Sequence, residues 1–174
     1  MKCRNREALL SLGSNVEPLR HVPRALDLLR ARHEVLAISP WYRSPAVGGA
    51  GRQPDFVNLA VRIATDLPPR ALREACRRTE EACGRQRGAD RYAPRTMDVD
   101  VVLMGDLVLD LDTWRIPAPQ LASEPFVLVP CADVWPEAMH PELRRTLATL
   151  SEDLEPDRRA ALSPVEPIRD GRAP

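Results

Sequence analysis

The run Arg95-Thr96-Met97-Asp98-Val99-Asp100-Val101-Val102-Leu103 sets two carboxylates two residues apart in a stretch that reads as a buried strand. Side chains alternate along a strand, so Asp98 and Asp100 point one way while Met97, Val99 and Val101 point the other. Two neighbouring ionised carboxylates repel, and each is costly to take out of water, so a cation belongs beside them. Two sources are at hand. Mg²⁺ takes one or two carboxylates together with phosphate oxygens. The arginines just upstream, Arg85, Arg87, Arg91 and Arg95, offer planar guanidinium groups instead. A D-x-D pair alone fits a solvated strand edge equally well; four arginines in the loop that feeds it favour a phosphate cradle.

Composition narrows the chemistry further. Twenty-five basic residues balance 25 acidic ones, which leaves no bulk basic field for nucleic acid and no acidic tail for a basic partner. Lys2 is the only lysine, so a G-x-x-x-x-G-K-[ST] phosphate loop is excluded and any nucleotide must be handled by arginine. The cysteines Cys3, Cys76, Cys83 and Cys131 form no C-x-x-C pair, and with three histidines they do not make a zinc pattern. Reduced thiols are expected, with Cys76 and Cys83 facing a core at helical spacing. Ala8-Leu9-Leu10 is too short for a signal segment or a membrane span, so a soluble, cytoplasmic protein without a membrane partner is expected.

The elements that must position the aspartates follow from periodicity. A strand over Glu7 to Leu12 ends in the turn-forming cluster Gly13-Ser14-Asn15. A helix after Pro18 carries Val22, Ala25, Leu26 and Leu29 on one face. Val35 to Tyr42 reads as a second strand weakened by Pro40, and Pro45 to Gly51 as a glycine-rich loop. Phe56 to Ala64 alternates, with Phe56, Asn58, Ala60 and Arg62 on one face and Val57, Leu59, Val61 and Ile63 on the other. Pro68-Pro69 opens a helix through Leu72, Cys76, Thr79 and Cys83 that Gly84 stops. After the Asp98/Asp100 strand come a Gly105-Asp106 turn, a short strand over Leu107 to Leu109, an apolar element over Phe126 to Cys131 and a final helix over Pro141 to Leu150. The order strand, helix, strand, strand, helix, strand predicts an α+β ferredoxin-like sandwich, its sheet mostly antiparallel and its helices on one face. Residues 1–150 read as one domain and residues 151–174, rich in Pro, Arg, Asp and Glu, as a flexible tail.

Five stretches taken together carry a likeness: Leu10-Ser11-Leu12-Gly13-Ser14-Asn15, Tyr42-Arg43-Ser44-Pro45, Gln53-Pro54-Asp55-Phe56-Val57-Asn58, Gly84-Arg85-Gln86-Arg87, and Arg91-Tyr92-Ala93-Pro94-Arg95 running on to Asp100. In this order and spacing the chain resembles the 6-hydroxymethyl-7,8-dihydropterin pyrophosphokinase family from about Leu9 to Pro141. The resemblance implies a ferredoxin-like fold and transfer of the β,γ-pyrophosphoryl group of ATP to the pterin hydroxymethyl oxygen, with release of AMP, in folate biosynthesis. It implies that Asp98 and Asp100 hold two Mg²⁺ ions and that Arg85, Arg87 and Arg95 face phosphate. Tyr92 would cover the site, and Glu80 and Arg115 would help form the nucleotide pocket. Phe56 and Phe126, the only phenylalanines, would stack on the pterin, Asn58 would read its edge, and Ser44, Pro45 and Val47 would meet that edge from a loop. Its small-molecule partners would be pterin and ATP, and the chain a monomer or weak dimer.

The likeness fails within Ile116-Pro117-Ala118-Pro119-Gln120-Leu121-Ala122-Ser123-Glu124-Pro125-Phe126. The family usually has a histidine where this chain has Ala118, an arginine where it has Glu124, and often an arginine at Thr113. Glu124 would then put negative charge near a polyphosphate. Losing one transition-state donor costs roughly 10²–10³ in rate. Two readings follow: an active enzyme whose clamp is rearranged, with Arg115, Arg85 or Arg87 compensating, or a weakened or non-catalytic paralogue that binds pterin or nucleotide.

Overall fold

The computed structural model describes residues 6–46, 53–86, 93–111 and 113–166. Alternating apolar side chains make β1 (Arg6–Ser14) the centre of the sheet: Leu10 and Leu12 face one way, Leu9 the other, and all are sealed from water. Strand β4 (Phe56–Thr65) lies antiparallel on one side of β1 and β5 (Asp98–Met104) antiparallel on the other. Beyond β4 come β2 (Glu34–Ile38) and β3 (Trp41–Ser44), both paired with it, so β5 forms one edge of the sheet. This is the expected α+β ferredoxin-like arrangement.

Helices α1 (Pro18–Arg30) and α2 (Pro69–Ala82) cover one face, burying Val22, Leu29, Leu72 and Cys76 against Leu10, Leu59, Val61 and Val101. Pro69 starts α2 where a missing N–H costs nothing, and Gly84, at φ 82°, ends it in a conformation that favours glycine. Helices are not confined to that face. The apolar run over Phe126 to Cys131 is part of α4 (Pro125–Val134), which buries Val127, Leu128 and Cys131 on the opposite face against Leu9, Val102 and Leu103. A register shift at Leu9/Leu10 makes room for Val102 and turns it onto that second face. Cys76, Cys83 and Cys131 are free and buried, and burial raises each thiol above its usual range.

Four further expectations need correction. The segment from Val35 to Tyr42 breaks at Ser39-Pro40, because proline cannot donate to the ladder. Ser39 keeps the contact with β4 just before the break, its N–H donating to the Ala60 carbonyl at 3.0 Å and its Oγ accepting from the Ala60 amide at 2.9 Å. The strand expected over Leu107 to Leu109 is instead a hairpin of β6 (Leu109–Leu111) and β7 (Trp114–Ile116). The helix expected from Pro141 begins later: a hairpin of β8 (Met139–His140) and β9 (Arg145–Thr146) comes first, and Thr146 caps α5 (Leu147–Glu152) by accepting the Thr149 amide. Finally, the expected tail is structured through residue 166. It forms α6 (Pro156–Ala160) and β10 (Ser163–Val165), and β10 adds a strand to the main sheet along β3. Residues 167–174 lie outside the described residues. Among the described residues no helix is long and apolar enough to cross a membrane.

Tyr42 ties α4 to the sheet. Its hydroxyl donates to Asp133 Oδ2 at 2.7 Å, joining β3 to α4. Burial, then the hydrogen bond and charge of Asp133, push the phenol up to about 12. A raised folded-state value contributes stability below the ordinary tyrosine value of about 10 and loses it as pH climbs towards 12. The stability of the parent protein should therefore fall more steeply than that of Tyr42→Phe across this window in urea titrations. Parallel profiles would show that Tyr42 ionises equally easily folded and unfolded.

Candidate active site

Register places the site. Gly13 of β1 lies opposite Asn58 of β4 on one side and Asp98 of β5 on the other, and Ser11 lies opposite Asp100. Polar groups from three strands thus share one end of the face that α4 leaves uncovered. A Cβ at residue 13 would stand 3.3 Å from Asn58 Oδ1 and 3.6 Å from the Phe56 ring, so the missing side chain there helps open the floor. Above this floor is a cavity of about 1110 Å³. Ser44, Pro45, Phe56, Asn58 and Phe126 line one part of it, and Arg95, Asp98, Asp100 and Arg115 also reach it. Asn58 is buried and donates through Nδ2 to Ser44 Oγ at 2.9 Å, which fixes the carboxamide plane between β3 and β4.

The charge problem posed by the paired aspartates is met at Asp98 by arginine. Arg85 donates to one oxygen of Asp98 and Arg95 to the other. Arg85, only 13% exposed, also donates to the Met97 carbonyl at 3.0 Å and lies 3.9 Å from Glu80. Glu80 is 2% exposed and accepts the Val99 amide at 2.9 Å. It does not line the cavity. It stands behind β5, where it holds α2 to the strand and adds a second carboxylate beside Arg85; Arg85 is likewise set behind the cavity wall. Arg95 is pinned through its backbone, its N–H donating to Asn15 Oδ1 at 2.7 Å while its carbonyl accepts from the Asn15 and Val16 amides. The buried Asn15 also donates to the Pro54 carbonyl, joining the turn after β1 to the approach to β4. Asp100 is exposed to the cavity.

The departures sort differently from expectation. Thr113 and Ala118 line the cavity, so a cation at either position would have reached it. Glu124 does not line it: its carboxylate pairs with Arg158 of α6 at 3.5 Å, so its negative charge is answered outside the cavity. Arg115 lines the wall but engages Asp110 at 3.4 Å and Glu142 at 3.3 Å. Val47, Arg87 and Tyr92 lie outside the described residues. Arg73 and Trp114 also line the cavity, stacked with the guanidinium carbon 5.0 Å from the ring centroid. Neither was singled out from the sequence, since Arg73 sits in an ordinary polar helix pattern and Trp114 in the stretch where periodicity fades.

Among the described residues no cluster of three or more histidine, cysteine, aspartate or glutamate side chains could enclose a metal. Two carboxylates on one strand face, opening into a cavity, still fit Mg²⁺, which takes few protein ligands and completes its shell with phosphate and water.

Residues 9–136 match the family model described as 7,8-dihydro-6-hydroxymethylpterin-pyrophosphokinase (HPPK). The chain belongs to the HPPK family. The 2-amino-4-hydroxy-6-hydroxymethyldihydropteridine pyrophosphokinase of Pseudomonas aeruginosa is 38% identical over 138 residues, covering 78% of this chain and 84% of that protein. The protein of the same name from Synechocystis sp. is 36% identical over 151 residues, covering 85% and 76%. A solved Plasmodium falciparum HPPK-DHPS chain with pteroate superposes with a TM-score of 0.70 over 92% of this chain, at 14% identity. This HPPK-family chain spans 47% of that longer protein, and the likeness there is one of fold.

The Glu80 arrangement generates a stability test. Glu80→Ala orphans the buried Val99 amide and removes a charge from beside Arg85, so it should lose about 1–3 kcal/mol in urea unfolding. Glu80→Gln, which keeps an acceptor, should lose less. Unchanged stability of the alanine variant would show that Val99 finds another partner.

Proposed function

We infer that this chain is a 2-amino-4-hydroxy-6-hydroxymethyldihydropteridine pyrophosphokinase, a transferase that moves pyrophosphate from ATP to 6-hydroxymethyl-7,8-dihydropterin and releases AMP. The observation that carries the reading is the single cavity in which Phe56, Asn58 and Phe126 meet Asp98 and Asp100. A flat bicyclic ring suits a slot with aromatic side chains and a fixed amide at its edge. Phe56 and Phe126 supply the rings, Asn58 the amide, and Ser44 holds that amide in place. Pro45 lines the same part, and Val47 is assigned to the same edge of the pterin.

Asp98 and Asp100 would hold Mg²⁺, two ions in the full complex. Held there, the metal would supply positive charge to offset that of the phosphate oxygens. Arg85 and Arg95 keep Asp98 oriented, and Arg95, from the wall, also suits phosphate oxygens. Arg87 and Tyr92 are assigned to closure over the nucleotide, and Glu80 supports that pocket through Arg85 and β5 without entering it. The pterin hydroxyl oxygen bonds to the β-phosphorus as the bridging oxygen to the α-phosphorus leaves with AMP. We assign the enzyme to the cytoplasm as a monomer or weak dimer. Thr113 and Ala118 favour a second reading, a paralogue that binds both ligands with little turnover.

The experiment is direct: ATP, Mg²⁺ and 6-hydroxymethyl-7,8-dihydropterin are mixed with the protein, and AMP is followed. Stoichiometric AMP and diphosphorylated pterin support the enzyme; binding of both ligands without AMP supports the paralogue. Asp100→Asn should abolish turnover while leaving the melting temperature nearly unchanged, because this carboxylate is exposed. Full activity in that variant would remove Asp100 from the metal site. Phe126→Ala should weaken pterin binding by about 0.5–1.5 kcal/mol or more through lost stacking and burial, with ATP affinity kept. Calorimetry showing unaltered pterin affinity in the folded variant would make Phe126 a packing residue only.

A further inference from the structure

The strand pairing that positions the site ends before all of it is fixed. Pairing of β1 with β4 stops at Ser14 opposite Val57, and pairing of β1 with β5 stops at Gly13 opposite Asp98. Pro54, Phe56 and Arg95 lie beyond those ends, where the register with β1 does not reach them. One side chain carries the pairing past both ends. Asn15 follows Ser14 and is 3% exposed. It accepts the Arg95 N–H through Oδ1 at 2.7 Å and donates through Nδ2 to the Pro54 carbonyl and to Gln53 Oε1, each at 3.4 Å. Its own backbone amide and that of Val16 donate to the Arg95 carbonyl at 3.1 and 3.2 Å. The buried Ser14 holds this turn, its Oγ donating to the Val16 carbonyl at 3.2 Å.

A carboxamide suits this place because it carries an acceptor and a donor on one rigid plane, as a peptide unit does. Aspartate can only accept, and alanine can do neither. The two segments that Asn15 joins serve different halves of the site. Pro54 leads into Phe56 and Asn58, whereas Arg95 lines the cavity and donates to Asp98. Each half has a further bond of its own, Asn58 to Ser44 in one and Arg85 to the other Asp98 oxygen in the second. Asn15, Gln53 and Pro54 do not line the cavity, so Asn15 acts on a ligand only through these neighbours. What its carboxamide adds is the spacing between the halves. Transfer between two bound molecules is more sensitive to that spacing than the binding of either, since a misplacement of about 1 Å can cost about 10²-fold in rate.

We propose that Asn15 is a positioning residue that sets the half of the cavity bearing Phe56 and Asn58 against the paired aspartates. The proposal rests on the pyrophosphokinase reading above and deepens it by naming what aligns the two substrates.

The test is steady-state kinetics of the full chain, beside calorimetry with three probes in Mg²⁺: ATP, 6-hydroxymethylpterin, and a conjugate joining that pterin to adenosine through a triphosphate. Asn15→Ala and Asn15→Asp should each lower kcat about ten- to a hundredfold and leave the affinities for ATP and for the pterin within a fewfold of the parent. Both should weaken the conjugate about tenfold or more, because it alone must occupy both halves at once. Melting temperatures show which variants fold, and where Asn15→Ala does not, Asn15→Asp decides. Ser39→Ala is the control for lost stability alone: it orphans the buried Ala60 amide, Ser39 does not line the cavity, and kcat should be kept. A parent-like rate and conjugate affinity in Asn15→Asp overturn the proposal, because that variant keeps the acceptor for Arg95 and loses only the tie to Pro54. An equal fall of kcat in Ser39→Ala overturns it too, as does a loss confined to the affinity for one ligand. A parent chain that binds both ligands without releasing AMP defeats the pyrophosphokinase reading, and the conjugate then decides the proposal by itself. If the parent binds neither ligand, both fall.

Discussion

The carboxylate of Asp98, held between Arg85 and Arg95, is the interaction on which the rest of the site depends. It joins the arginine that follows α2 to the one that precedes β5. Glu80 sits behind it, binding the backbone of β5 at Val99, and Asn15 clasps the backbone of Arg95 from the end of β1. Partly buried ion pairs of this kind add little net stability, because desolvation offsets much of the attraction. Removing one partner is another matter, since it strands a charge. The cluster is therefore better understood as positioning: it gives one aspartate a fixed rotamer at the mouth of a cavity and leaves its neighbour, Asp100, facing solvent.

That arrangement depends on the way the two sheet faces are covered. Helices α1 and α2 close one face completely enough to bury Leu10, Leu59 and Val101. On the other, α4 and α5 cover the part around Leu9, Ala60 and Leu103, and the strand ends bearing Asn58, Gly13 and Asp98 stay open to the cavity. The same helix that seals the core also contributes Phe126 to the cavity rim from its first turn. Core packing and the shape of the cavity are thus coupled through α4, whose far end is braced by the Asp133–Tyr42 hydrogen bond.

Local patterns made much of this legible. Period-two alternation over Phe56 to Ala64 and around Asp98 assigns side chains to the correct faces, and proline and glycine mark the ends of α2 as expected. What the sequence hid were long-range consequences. Glu80 looks like a polar residue on a solvated helix face, yet the strand beside it supplies an amide that draws the carboxylate inward. Pairing the turn after β1 with Arg95 joins residues eighty positions apart, which no spacing rule anticipates. The C-terminal segment has weak apolar periodicity because β10 is short, at a sheet edge, and contributes chiefly backbone pairing. Pro164 is tolerated there for the same reason.

That segment also gives Glu124 a physical setting. The residue stands at the start of α4, two positions before Phe126, and reaches Arg158 of α6 rather than the cavity. Both side chains are substantially exposed, so this pair alone contributes no more than about 1 kcal/mol. Its importance is geometric. The chain leaves α5, forms α6 against the start of α4, and then lays β10 along β3, the strand that carries Ser44. The end of the cavity lined by Ser44 and Phe126 is consequently bounded by two elements, α4 and β3, that both lean on the same late segment. An acidic residue at position 124 serves that brace, while the guanidinium groups that line the cavity, Arg73, Arg95 and Arg115, come from other elements.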